Sequence, residues 1–219
     1  MLALTGVHAD RRSRLNGVVT ALALVGVLSS PSLVRAQDVA GDGGWVDMAL
    51  GYGAVRAFCG ICSGGRHLDG YNFQLGLGAA SPHFRVGLGL DIWQRVFPDG
   101  ENHGANTAVD ATVQFYPLRR GVFIQGGVGF SDYRMLKGLH DGLLFENADT
   151  TYFSGGGLST MAGLGYDIRI SRSVALSPRA AYTFGSPRTL RSPNGTTVAT
   201  RSAQNEIEGT VAVVVHSPD

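Results

Sequence analysis

Two cysteines, Cys59 and Cys62, stand in the stretch CGIC, and the chain has no others. Thiols at that spacing can close a disulfide, cycle as a thioredoxin-like redox pair, or share a metal with a neighbouring imidazole such as His67. A redox pair needs a βαβ setting that lowers a thiol pKa, and none surrounds this stretch. A metal centre needs a fourth ligand, and none stands at a convincing spacing. In an exported chain the compartment favours the bridge, so a Cys59–Cys62 disulfide is expected across a loop tip. Neither a metal nor another cofactor is expected.

His67, His103 and His140, with Glu146 and Ser154, are the residue types of a His-Ser-acid site, which needs nucleophile and base within hydrogen-bond reach. Their spacing does not impose that meeting, and solvated loop histidines are the simpler reading, so no enzyme is expected. The single lysine, Lys137, precedes Gly138 instead of following a glycine-rich turn into a helix, which excludes a phosphate cradle of that kind. The remaining chemistry is ionic. Asp47, Arg85, Asp91, Asp110, Asp167, Arg169, Arg179, Glu206 and Glu208 bring opposite charges into stretches that are otherwise apolar or small.

What must position these groups follows from the rest of the chain. Arg11, Arg12 and Arg14 precede an apolar run over residues 18–28, then Pro31 and a small-residue end, LVRA. That is the layout of a secretory signal cleaved between Ala36 and Gln37, with an apolar core too short to span a bilayer as a helix. The arginine pair reads as an ordinary basic leader, because nothing after it resembles a cofactor domain that must fold before export. Residues 37–219 then form one domain, undivided by any linker. Only 16% of the residues are charged, with 32 glycines and one lysine, against about 25% charged in a soluble domain. A net charge of +1 leaves no basic footprint for nucleic acid. No other stretch approaches the length of a membrane helix, so any crossing must be made by strands.

WVDMALGYGAV, YNFQLGLGA, FRVGLGLDIW, TAVDATVQFY, VFIQGGVGF, GLSTMAGLGYDIR, VALSPRAAYTF and EIEGTVAVVV each alternate with a period of two, which predicts eight strands. Each is about ten residues long, the length that crosses a bilayer when tilted. Their connections sort by parity. SPH, PLRRG and ISRS are short, whereas residues 57–70, 97–105, 135–156 and 185–204 are long. A closed antiparallel transmembrane β-barrel has this pattern, with short periplasmic turns and four longer extracellular loops; a soluble sandwich has no reason for it.

Along the third strand Phe84, Val86, Leu88, Leu90 and Ile92 share one face, and Arg85, Gly87, Gly89, Asp91 and Trp93 the other. The fifth sets Val122, Ile124, Val128 and Phe130 against Phe123, Gln125, Gly127 and Gly129. The small, polar face suits the bore of a barrel of about eight strands, which side chains fill. An inward serine in place of Gly87 is expected to fit if the bore has space. The ionic residues are therefore expected as a polar network in the lumen, with Arg179 paired to Glu208 across the last two strands. Two aromatic girdles are expected, Trp45, Phe84, Phe115, Tyr116 and Tyr166 at the inner level and Tyr71, Phe73, Trp93, Phe130, Tyr133, Tyr182 and Phe184 at the outer.

FYPLRRGVFIQGGVGFS (residues 115–131) and GLGYDIRISRSVALSPRAAYTFG (residues 163–185) are each strand, tight turn, strand. With them the chain resembles the small outer-membrane β-barrel proteins of the OmpA/OmpX-like class over most of residues 44–216. Two features depart from the class: the last strand ends VAVVVHSPD without a terminal aromatic, and Pro178 sits inside the seventh strand, where a bulge is expected. The resemblance implies a bacterial outer-membrane location, outer-membrane lipids as surroundings, and assembly by periplasmic chaperones and the barrel assembly machinery. The function that fits is a plugged, non-enzymatic anchor whose loops serve surface integrity, adhesion or binding; the extracellular ligand is left open. A lipid-modifying enzyme built from loop residues and a soluble lipocalin-like carrier are the competing readings.

Overall fold

The computed structural model describes residues 43–58, 67–96, 102–118, 121–137 and 151–217. Among them are β1 Gly43–Phe58, β2 His67–Ala80, β3 Phe84–Val96, β4 Asn102–Phe115, β5 Val122–Lys137, β6 Thr151–Tyr166, β7 Ile168–Arg169, β8 Val174–Arg191 and β9 Thr197–His216, and no helix. Every pairing is antiparallel; successive strands pair, except that β6 pairs with β8 past β7, and β1 also pairs with β9, so the sheet closes on itself. β6 and β7 are one stave interrupted at Asp167, because Gly165 opposite Arg179 and Ile168 opposite Leu176 keep the same register along β8. Counted by staves, this is the expected closed barrel of eight antiparallel strands.

Short connections at residues 81–83 and 170–173 lie at one end, with the 116–121 turn, where Gly121 supplies a φ of +82°. At the other end the expected long connections are shorter than the sequence reading had them. Apart from the two-residue β7, the strands run from 13 to 20 residues, since pairing continues past the segments long enough to cross a bilayer. β8 and β9 turn through Pro193, Asn194 and Gly195, with Gly195 at φ +80° and its amide donating to the Ser192 carbonyl. This is the three-residue hairpin with glycine in the left-handed position.

Pro178 brings no bulge. It faces Val211 in an unshifted register with β9, and the ladder is instead interrupted on the opposite side, between Tyr166 and Ile168. A residue without an N–H is accommodated where no partner strand needs one.

The two faces sort as expected. Val86, Leu88, Ile124, Val128 and Leu164 are each more than half exposed on the outside, while Arg85, Phe123 and Asp110 are buried within. Aromatic pairs mark both ends of the exterior: Phe84 with Phe115, ring centres 4.9 Å apart, and Tyr52 edge-on to Tyr71 at 5.8 Å. Four residues assigned to the girdles belong inside. Trp45, Tyr116, Trp93 and Tyr133 are all buried, because the bore is narrow enough for large rings to fill it. Ile92, assigned to the outer face, is buried as well.

Candidate functional site: the polar lumen

Glycines on the inward face make room for the rings. A Cβ on Gly76 would lie 2.8 Å from Trp45, one on Gly165 2.3 Å from Phe123, and one on Gly70 2.6 Å from Trp93. Gly87 is equally committed: its Cβ would meet the Leu77 carbonyl at 2.1 Å and Trp45 at 2.8 Å, so the space on which tolerance of a serine depended is absent.

At the short-turn end Arg85 and Asp167 form an ion pair of 2.7 Å with both side chains wholly buried. The Tyr116 hydroxyl donates to the same carboxylate at 3.0 Å and its ring lies 5.0 Å from the guanidinium carbon. His216 Nε2 stands 2.9 Å from Arg85 Nη2, and Phe123 packs beside Tyr116. Arg169 is at the mouth, not in this cluster's interior, donating to the Arg172 carbonyl at 2.9 Å.

The expected Arg179–Glu208 pair does not form. Arg179 faces Thr210 across β9, whereas Glu208 faces Ala181, and the guanidinium reaches over to Asp47 on β1 at 2.5 Å. Ala212 and Ala49, both buried in that stretch of wall, leave the room for it. Asp110 accepts from Ser159 Oγ at 2.8 Å.

Glu208 belongs to a different cluster, with Asp91 and Glu206. Asn72 Nδ2 contacts Asp91 Oδ1 at 3.2 Å, Glu206 Oε1 at 3.1 Å and, at short range, Glu208 Oε2. Gln74 Nε2 donates to Asp91 at 2.6 Å and Glu208 at 2.7 Å, and Asn106 Nδ2 to Glu206 at 3.0 Å. Beyond this cluster Val55, Trp93 and Tyr133 pack into an apolar layer, with Trp93 donating to the Gly53 carbonyl at 3.3 Å. A cavity of about 60 Å³ lies between the layers, lined by Trp45, Asp47, Asp91, Asn106, Arg179 and Glu206 among others.

Sequence reasoning found the ionic members of this lumen and missed the neutral ones. Asn72, Gln74, Asn106, Gln114 and His216 stand on the same alternating positions as the charged residues, and that parity was the available signal. Of the residues considered for a His-Ser-acid site, Ser154 lies opposite Arg134 and Arg191, and His67 and His103 are on β2 and β4 with β3 between them. His140, Glu146, Cys59, Cys62, Ala36 and Gln37 lie outside the described residues.

The closed barrel recurs among solved structures. Ail, the attachment invasion locus protein of Yersinia pestis, crystallised with the heparin analogue sucrose octasulfate, matches over 78% of this chain and 99% of its own, at 13% identity and a TM-score of 0.51. The fold is that of the small outer-membrane barrels. Neisserial surface protein A (14% identity, 79% and 98% coverage, TM-score 0.49) and OprG from Pseudomonas aeruginosa (11%, 80% and 98%, TM-score 0.43) also align with the barrel. No family model matches the sequence. No curated protein matches it either.

Proposed function

We propose that the barrel resides in a bacterial outer membrane as a plugged, non-enzymatic anchor, exported with cleavage between Ala36 and Gln37, and that the chain at its long-connection end serves surface integrity, adhesion or binding. One observation carries the reading. Through the middle of the barrel inward charges such as Asp47, Arg85 and Asp110 are buried and outward aliphatic residues are exposed, from Val46 and Leu50 on β1 to Leu164 on β6 and Val213 on β9. Water would penalise such an exterior by about 25 cal/mol for each Å² of apolar surface left wetted, while hydrocarbon does not. A carrier with an apolar bore would need the opposite arrangement.

Outer-membrane lipids are then its immediate partners, and periplasmic chaperones and the barrel assembly machinery its route of insertion. Likeness to Ail at 13% identity supports the fold and does not transfer its sulfated ligand to this chain. Fractionation of expressing cells tests the proposal. The protein is expected in outer membranes, with electrophoretic migration in detergent that changes on boiling, as a closed barrel requires. Recovery as a monodisperse protein in buffer without detergent overturns it.

A further inference from the structure

We propose that the lumen holds a calcium-sized divalent cation between Asp91, Glu206 and Glu208, with amide oxygens of Asn72 and Asn106 completing its shell. Carboxylate oxygens of the three acids lie within 4.8 Å of one another. Two oxygens bound to one calcium ion are at most about 4.6–5.2 Å apart, twice its usual bond length, a limit that the three acids meet. Across magnesium the same separation is about 4.0–4.2 Å, which fits less well.

Two further observations point to a ligand. Asn72 Nδ2 carries two hydrogens, yet four oxygens from three carboxylates converge on it, at 3.2, 3.4 and 3.1 Å and one closer. Two hydrogens cannot serve four carboxylate oxygens, whereas a cation bound beside the amide, among the three acids, neutralises them. The amide oxygens supply the second observation. Asn72 and Asn106 are each only 2% exposed, and the Oδ1 of each is buried without a hydrogen-bond partner. Leaving a buried acceptor unpaired is costly, and turning each amide about its last side-chain torsion exchanges nitrogen for oxygen. That exchange is unfavourable beside bare carboxylates and favourable with a cation between them. Asn106 also lines the cavity beside the acids, where there is room for waters to complete a hard cation's oxygen shell.

Because packed side chains lie on either side of the cluster, the ion is supplied during folding. The full chain is refolded from urea into detergent micelles with calcium chloride, desalted, and its calcium measured by atomic emission. The boil-sensitive gel shift confirms that each sample is folded. Retention of about one calcium per folded chain is expected. Glu208→Gln and Glu206→Gln should each weaken retention by at least about tenfold. They also remove a buried negative charge, so they do not threaten folding as loss of a paired group would. Asp132→Asn removes an outer carboxylate paired with Arg134 and should leave retention unchanged. Folded protein that retains no calcium overturns the proposal, and so does equal retention by the Glu206 and Glu208 variants.

Discussion

Gly87 shows how little freedom single positions have inside this barrel. Its missing side chain is occupied by the Leu77 carbonyl and the Trp45 ring, whereas Gly89, two residues on, would place a Cβ no nearer than 3.4 Å to Thr112. Gly87→Ser should therefore destabilise by about 1–3 kcal/mol, the usual range for overpacking, and Gly89→Ala should change little. Urea titration of both variants in lipid vesicles measures the difference. Arg85 makes the electrostatic counterpart. Its guanidinium is wholly buried against Asp167, so Asp167→Asn leaves a charge that His216 and Gln114 cannot neutralise. A loss of about 3–5 kcal/mol is expected. Replacing Arg85 by Met in the same chain should restore much of it, a coupling that a double-mutant cycle reads directly.

For the strands, alternation was enough to identify all eight staves, because each separates an aliphatic face from a small or polar one. Their ends were not legible. Thr197 to Gln204 lacks the clean aliphatic alternation of the membrane-crossing part, yet it continues β9, since hairpin pairing needs backbone groups and a suitable turn more than it needs apolar side chains. Pro178 misled in a similar way: it predicts a lost hydrogen bond, but the sequence does not reveal that the neighbouring stave is already broken at Asp167. Depth along a stave makes its own prediction. Leu88, outward at the middle of β3, and Leu118, exposed in a short turn, are of one residue type in two surroundings. Leu88→Arg should cost about 2–4 kcal/mol and Leu118→Arg about 0–1, because the penalty of a charge fades from the bilayer midplane to its interface. Equal costs in refolding titrations would contradict the assigned depth.

Across the whole molecule, the lumen was legible as a set of charges but not as a set of pairs. Neighbour-strand reasoning assigned Arg179 to Glu208, yet a side chain in a narrow bore can cross it, and Arg179 passes over Ala212 of β9 to reach β1. The neutral amides were missed because only charge was sought, though they separate the three acids from one another. The same filling bears on permeation. An eight-stranded bore is only wide enough for side chains, and this one has two packed regions in series: Arg85, Tyr116 and Phe123 at the short-turn end, and Val55, Trp93 and Tyr133 toward the other. The cavity of about 60 Å³ between them has room for about four to six waters, at 10–15 Å³ each, and is not a channel. Planar bilayers containing the wild-type barrel should therefore show no stepwise conductance. Resistances in series give a sharper expectation: Phe123→Ala alone, or Trp93→Ala alone, leaves one barrier intact and should stay silent, whereas the combined variant, once its boil-sensitive migration shows that it has folded, should conduct. Steps from either single variant would mean that only one of the two regions blocks the bore.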